Sequence, residues 1–277
     1  MNAIGIMQGR LSPAEAGRLQ AFPFASWEEE FHRARACGFD AVEWLFGADA
    51  CEQNPVFTKA GLEKIRRQID ATGVRVPSLC AHYFMVHPFF RVSPAERQRS
   101  VSVLNTLIGQ ATEVGIRTIL IPVLEDSEIR TNAEQAELLD SLRPPLSLAA
   151  HHGIHIGLET ELPSSVFRAL VEQCNHPALG IYYDTGNATA KGYDIASDLR
   201  DLAPHLCGVH IKDRKRGGSN VRLGLGGANF SRFFQIIADL PYTGPLILET
   251  PRGDDTLGNA RANLAFVKNC LAASVKA

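Results

Sequence analysis

The sequence predicts a single closed (β/α)₈ barrel, a TIM barrel, on the basis of three observations. Eight short apolar, β-branched runs recur along the 277 residues, each followed by a polar turn and a stretch with helical spacing of apolar residues. No linker, low-complexity segment or change in composition divides the chain. Runs such as TILIPV (118–123) are apolar nearly throughout, as expected of strands covered on both faces. We therefore expect one domain over residues 1–277.

The candidate strands share a β-branched or aliphatic core and a polar residue at or near the carboxyl end. They are AIGIMQ (3–8), AVEWL (41–45), VPSLCA (76–81), TILIPV (118–123), IHIGLE ending at Glu159, GIYYDT (180–185), GVHIK (208–212) and LILET (246–250). An open doubly wound sheet is the structural alternative. It would usually carry a GxGxxG turn after an early strand, and the first turn here, QGRLSP, lacks that pattern.

Helices between the strands are indicated by their start and stop signals. Ser26 precedes WEEEFHRARAC, with Glu29 three residues later as in a capping box and Gly38 as the stop. Thr58 and Gly73 bracket the second helix in the same way. The remaining predicted helices run from Ser93-Pro94 to Gly115 and over 133–151, 163–174, 195–202, 229–239 and 257–273.

Composition excludes several classes of partner. A formal charge of −2 gives no general attraction to nucleic-acid phosphate, and no apolar run approaches the roughly 20 residues needed to cross a bilayer. The start, MNAIGIMQGR, does not resemble a secretory signal, so we expect a cytoplasmic protein. The six cysteines are scattered without a CxxC pair, which predicts neither a disulfide framework nor a structural zinc site. The sequence leaves open whether the protein is a homo-oligomer.

Polar residues at the ends of the last four predicted strands are the strongest functional signal. Catalytic side chains of such barrels come from the carboxyl ends of the strands. Alone, a histidine near a strand end is more often structural. However, three carboxylates at one mouth repel one another unless protons or a cation neutralise them, and with one imidazole they suit Mn²⁺, Mg²⁺ or Co²⁺, with Zn²⁺ as an alternative. The predicted ligands of one divalent metal ion are Glu159, Asp184, His210 and Glu249.

The ordered motifs GLET (157–160), YYDTGN (182–187), GVHIKD (208–213) and ILET (247–250) resemble the xylose isomerase-like barrel superfamily, especially its sugar phosphate isomerase/epimerase branch. The resemblance spans essentially the whole chain, including GIMQGRLSP near its start. It implies the same four metal ligands. From members that epimerise ketoses, it also implies that Glu159 and Glu249 are the acid/base pair on opposite faces of the substrate.

Other polar side chains near the strand ends are candidates for substrate contacts. Lys212, Arg214 and Arg216 follow the seventh strand, where barrels often bind phosphate, although the run KDRKRGG is equally consistent with a solvated loop. Asp213 could equally form a structural ion pair with Lys212 or Arg214. The further candidates for contacts with sugar hydroxyls or an anionic group are Gln8, Glu43, His82, Asn187 and Arg252.

The leading hypothesis is a metal-dependent isomerase or epimerase that acts on a ketose or sugar phosphate by proton transfer through an enediolate. A keto-sugar or polyol dehydratase would use the same enolisation to expel water. A non-catalytic barrel would bind its ligand without turnover. An apurinic endonuclease is disfavoured, because many relatives have a histidine where this chain has Asn187 and because the net charge is near neutral.

Overall fold

Eight parallel strands close into a barrel in the computed structural model, which describes residues 2–18 and 20–274. The strands are β1 (Ile4–Met7), β2 (Ala41–Leu45), β3 (Ser78–Cys80), β4 (Thr118–Val123), β5 (His155–Thr160), β6 (Leu179–Asp184), β7 (Leu206–Ile211), β8 (Asp213–Arg214), β9 (Asn220–Val221) and β10 (Leu246–Leu248). The barrel order is β1-β10-β7-β6-β5-β4-β3-β2, while β8 and β9 form a separate antiparallel pair. The predicted closed barrel is confirmed, and the open-sheet alternative is wrong.

Helices surround the barrel and fill the connections between its strands. They are α1 (Trp27–Cys37), α2 (Lys59–Thr72), α3 (Tyr83–Val86), α4 (Pro94–Ala111), α5 (Asn132–His151), α6 (Ser164–Cys174), α7 (Thr185–Lys191), α8 (Ile195–Leu202), α9 (Phe230–Asp239) and α10 (Thr256–Ser274). Single 3₁₀ turns occur at Glu15–Gly17, Cys51–Gln53, Pro55–Phe57, Thr112–Val114, Glu125–Ser127 and Ala203–His205. Among the described residues, every helix is too short or too polar to span a bilayer.

The start of α1 differs from its prediction, whereas its end does not. Ser26 makes no capping bond and instead donates its hydroxyl hydrogen to Ser12 Oγ at 2.9 Å. Glu29 pairs with Arg33 one turn further along the helix at 2.5 Å, so the expected capping box is not formed. Gly38 ends the helix with φ of 90°, a left-handed conformation that glycine adopts without steric cost.

Helix α7 begins directly where β6 ends. Asp184 is the last residue of β6 and the N-cap of α7, and its Oδ1 accepts a hydrogen bond from the backbone N–H of Asn187 at 2.7 Å. The sequence predicted only a polar turn here. Because the strand passes into a helix without a loop, the side chain of Asn187 is held beside the barrel mouth.

Glycines in the barrel interior leave room for large aromatic rings. The ring of Tyr182 lies against Gly208, where an added Cβ would approach Tyr182 Cε2 to 2.2 Å. This close approach places the Tyr182 hydroxyl deep inside the barrel, next to Glu43. All six cysteines are free, as their scattered positions predict.

Candidate active site

Four side chains meet at the carboxyl-terminal mouth of the barrel, on four strands that are neighbours in the sheet. Asp184 at the end of β6 pairs in register with His210 on β7. Glu159 lies near the end of β5, and Glu249 directly follows β10. All four are buried, and one ligand atom from each lies within 4.8 Å of the others. The structure therefore brings together the whole predicted ligand set.

Asn187 fixes two of these carboxylates. Its side-chain Nδ2 donates to Glu159 Oε1 at 2.8 Å, while its backbone N–H donates to Asp184 Oδ1. Its own Oδ1 accepts from Arg214 at 3.0 Å. One oxygen of each carboxylate is thus held by the chain, and the other oxygen is left to face the centre of the cluster.

Glu249 is held by amide and cationic groups. Its Oε1 accepts from Gln20 Nε2 at 3.1 Å and from the Arg10 guanidinium at 3.3 Å. Its Oε2 lies 3.1 Å from Lys212 Nζ, which is also 3.5 Å from Asp184 Oδ2. Two buried cations therefore offset part of the negative charge of the three carboxylates.

Glu43 sets the orientation of the imidazole. His210 Nε2 lies 2.6 Å from Glu43 Oε2, and the other carboxylate oxygen accepts from Tyr182 OH at 2.6 Å and Ser78 Oγ at 2.7 Å. A carboxylate on one ring nitrogen favours the tautomer whose other nitrogen is free to ligate. Glu43 was predicted as a substrate contact, but it is completely buried behind His210 and does not line the cavity over the cluster.

The remaining ligand atoms fit a divalent metal ion. His210 Nδ1 lies 3.2 Å from Glu249 Oε2, 3.7 Å from Asp184 Oδ2 and 3.9 Å from Glu159 Oε2. Within the described part of the chain, neither His210 Nδ1 nor Asp184 Oδ2 has a hydrogen-bond partner, although both atoms are buried. Buried polar atoms without a well-formed hydrogen bond are costly, and a cation between them would satisfy both atoms. The oxygen-rich donor set suits hard divalent ions.

The two glutamates lie in different electrostatic environments. Burial, together with the charge of Asp184, raises the pKa of Glu159 to about 8. Burial alone would also raise the pKa of Glu249, but Lys212 and His210 hold it well below its usual value. The difference follows from the neighbours, because Glu159 receives a neutral amide whereas Glu249 receives two cations.

A cavity of about 490 Å³ lies over the cluster, and its wall contains many of the predicted residues. These are Glu159, His210, Glu249, His82, Asn187, Lys212 and Arg214. Its wall also includes Gln20, Glu125, Glu161, Ser219 and Asn220. Its volume is that of a small-molecule site.

Comparison with known proteins identifies the family. A profile described as a xylose isomerase-like TIM barrel matches residues 31–270. The chain belongs to the xylose isomerase-like TIM barrel family. The predicted resemblance to this superfamily is thereby confirmed.

Relatives of this xylose isomerase-like TIM barrel include named sugar epimerases. L-ribulose-5-phosphate 3-epimerase UlaE of Shigella flexneri serotype 5b (strain 8401) is 28% identical over 235 residues, covering 80% of this chain and 81% of that protein. The structure of an L-ribulose 3-epimerase superposes with a TM-score of 0.79 at 18% identity, covering 100% of this chain and 96% of that chain. A xylose isomerase-like TIM barrel protein from Mycobacterium smegmatis, solved in complex with magnesium, gives 0.73 at 18% identity, covering 99% and 98%. At these identities the two structures bear on the fold alone.

In this xylose isomerase-like TIM barrel, two further predicted contacts lie outside the cavity wall. Gln8 is buried, and its Oε1 accepts from the backbone N–H of Leu45 at 3.1 Å. Arg252 donates from Nε to the carbonyls of Gly9 at 2.7 Å and Ser12 at 3.1 Å. Both side chains therefore secure the loops around the mouth.

The segment after β7 also differs from its prediction. Arg216 is exposed and contributes to a separate cavity. Asp213 forms neither of the expected ion pairs and instead accepts from the backbone N–H groups of Gly224 at 2.9 Å, Gly226 at 2.8 Å and Ala228 at 3.1 Å. A Cβ at Gly226 would come within 2.1 Å of Asp213 Oδ1, so only glycine fits there.

Sequence reasoning missed Arg10 and Gln20. The loop that carries Arg10 is held from below by Glu30, whose carboxylate accepts from the backbone N–H groups of Gly9 at 2.6 Å and Leu11 at 3.0 Å. The sequence did contain a signal for Arg10, because the polar run QGR directly follows β1. This run begins at the carboxyl-terminal mouth, where the cluster lies. Gln20 gave no such signal, because it lies far along an irregular loop.

Proposed function

We propose that this protein is a metal-dependent sugar isomerase or epimerase that moves a proton on a carbon next to the carbonyl of a ketose or ketose derivative. Glu159 and Glu249 are the acid/base pair. The relative named as an L-ribulose-5-phosphate 3-epimerase supports this class of reaction. The metal would be Mn²⁺, Mg²⁺ or Co²⁺ in preference to Zn²⁺, because three of the four ligands are carboxylates.

The observation that carries the proposal is the position of the two glutamates at the two sides of the cluster. In the barrel order, Glu159 belongs to β5 and Glu249 follows β10, with β6 and β7 between them. Both line the cavity, so a sugar lying over the cluster would have one carboxylate near each end of this arc. Epimerisation needs one group to remove a proton and a second group to return one from another direction.

The chain's own residues hold this pair in place. Asn187 restrains Glu159, while Gln20, Arg10 and Lys212 restrain Glu249. Such restraint matters because proton transfer depends on the carboxylate lying within hydrogen-bond reach of the carbon-bound hydrogen. When bound, a divalent cation at Glu159, Asp184, His210 and Glu249 would stabilise the negative charge that develops on the substrate.

Hydrogen exchange in D₂O tests the proposal. Purified protein loaded with Mn²⁺ or Mg²⁺ is incubated with a panel of ketoses and their phosphates, and the products are followed by NMR and mass spectrometry. We expect deuterium at one carbon next to the carbonyl and a second sugar of the same composition. A product that has lost water would instead indicate a dehydratase.

Removal of the metal is the matched control. Treatment with EDTA should abolish exchange, and readdition of Mn²⁺ or Mg²⁺ should restore it. If the metal-loaded protein exchanges no hydrogen with any sugar of the panel, the proposed reaction is wrong and a binding role is favoured.

A further inference from the structure

We propose, resting on the function proposed above, that the preferred substrate is an uncharged sugar rather than a phosphate ester. The groups that would bind a phosphate are already used by the chain itself, and the remaining charge on the cavity wall is negative. The Shigella relative, in contrast, has a name that specifies a phosphorylated substrate.

The backbone amides after β7 are the first group already in use. Barrels frequently bind phosphate with the loops after the last two strands, where backbone N–H groups converge on the anion. Here, three such N–H groups, those of Gly224, Gly226 and Ala228, converge on the carboxylate of Asp213. Asp213 is buried, so this anion site is filled by the chain's own side chain.

The cations on the cavity wall are the second group. Lys212 Nζ lies between two carboxylates, 3.1 Å from Glu249 and 3.5 Å from Asp184. Arg214 donates to Asn187 Oδ1 at 3.0 Å and to the carbonyl of Gly218 at 3.1 Å, and it lies 3.7 Å from Glu161. A phosphate would have to displace these partners and leave carboxylates without compensation.

Acidic side chains outnumber basic ones on the cavity wall. The lining carboxylates are Glu125, Glu159, Glu161 and Glu249, against the cations Lys212 and Arg214. Glu161 is also paired with Lys191, which lies outside the wall, at 2.8 Å. In the described part of the chain, no cation lies within ion-pair distance of Glu125, which is exposed at the rim. Burial lowers the pKa of His82, which disfavours a positive charge on its ring. A phosphate ester brings about −1.5 to −2 charges and would be repelled.

The same wall suits hydroxyl groups. Glu125 and Glu161 offer acceptors, while Ser219, Asn220 and His82 can donate or accept. Sugar hydroxyls both donate and accept hydrogen bonds, so they can be bound without any change in net charge. A divalent cation surrounded by three carboxylates adds no excess positive charge to this wall.

Matched substrate pairs test the inference. The metal-loaded protein is given L-ribulose and L-ribulose 5-phosphate, or D-fructose and D-fructose 6-phosphate, and kcat/KM for hydrogen exchange is measured for each. We expect the free ketose of a reacting pair to exceed its phosphate by about tenfold or more. A phosphate that reacts equally well or better overturns the inference.

Binding of the same pairs by calorimetry separates this inference from the proposed reaction. If no sugar exchanges hydrogen, the reaction is wrong, yet tighter binding of the free ketose still supports the charge argument. Tighter binding of the phosphate contradicts it, and binding of neither member overturns the reaction and the substrate class together.

A variant probes the cause of the preference. Glu161→Gln removes one negative charge from the wall and releases Arg214 and Lys191, so the ratio of free ketose to phosphate should fall by about threefold or more. Glu172→Gln, at the opposite mouth of the barrel, is the matched control and should leave the ratio unchanged. An unchanged ratio in Glu161→Gln would contradict the electrostatic explanation.

Discussion

The two mouths of the barrel differ in size and in chemistry, and the smaller one contains the candidate site. The amino-terminal mouth has a cavity of about 820 Å³, against about 490 Å³ at the carboxyl-terminal mouth. The larger cavity is lined by prolines, aliphatic residues and histidines such as His155, His176 and His205, with Glu172 as its carboxylate. Volume alone therefore does not locate the chemistry, whereas convergent acidic groups do.

The same strands produce both mouths. Strand β5 begins with His155 and carries Glu159 near its end, while β6 begins with Leu179 and ends with Asp184. In these two strands, the buried carboxylates therefore lie at the carboxyl end. The other end is free to serve packing and stability.

The largest effect should come from the acid/base pair. Glu159→Gln and Glu249→Gln each remove a group able to transfer a proton, so kcat for hydrogen exchange should fall by about 10³-fold or more. Metal content is measured in parallel, so that loss of the ion is not mistaken for loss of proton transfer. Glu172→Gln at the other mouth should retain activity within about twofold. Retention of exchange in either active-site variant would remove that residue from the pair.

A smaller effect is expected from Glu43. Glu43→Gln weakens the acceptor that orients His210, so metal affinity should fall by about 10- to 100-fold. Equilibrium dialysis with metal analysis measures this, and circular dichroism checks the fold. The control is Asp198→Asn. Asp198 accepts a hydrogen bond from Tyr183 OH on the outer side of β6, so this variant should leave metal affinity nearly unchanged. Equal losses in both variants would indicate general destabilisation instead.

The smallest effect on activity should come from the amino-terminal mouth. His176→Ala removes the Nδ1 acceptor for the backbone N–H of Ala178, so the free energy of unfolding should fall by about 1 kcal/mol. The value of kcat/KM should change by less than about twofold. Denaturant unfolding and the exchange assay measure the two quantities. A large loss of activity with little loss of stability would show that the larger cavity takes part in the reaction.

The sequence was sufficient to predict the barrel and to place the four candidate ligand residues at one mouth, because both predictions depend on local patterns. Strands β2 and β4 occupy the predicted residues, and the apolar run of β4 is typical of a parallel strand covered on both faces. Glu159 and Asp184 were found because strand ends of a parallel barrel share one mouth.

The sequence did not predict how deep a side chain lies in the barrel or which residues a long loop brings to the site. Glu43 is the third residue of β2, two residues before Leu45 ends the strand, so its side chain lies below the rim and contacts His210 from behind. Arg10 and Gln20 reach Glu249 from a loop more than 200 residues away in sequence, and their contacts exist only after that loop has folded. The periodicity of apolar residues in the sequence does not predict contacts between such distant segments.

In each of the four candidate ligand residues, one side-chain atom is hydrogen-bonded by a neighbour, and this limits how many bonds the protein can form to an ion. Asn187 engages one oxygen each of Glu159 and Asp184, while Gln20 engages one oxygen of Glu249 and Glu43 one nitrogen of His210. One further atom of each candidate ligand faces the cluster, and that of Glu249 also accepts from Lys212. If all four side chains bound an ion through one atom each, they would supply four bonds, fewer than the about six that a hard ion such as Mg²⁺ prefers. About two coordination sites would then stay open, enough for chelation by two adjacent oxygens of a sugar.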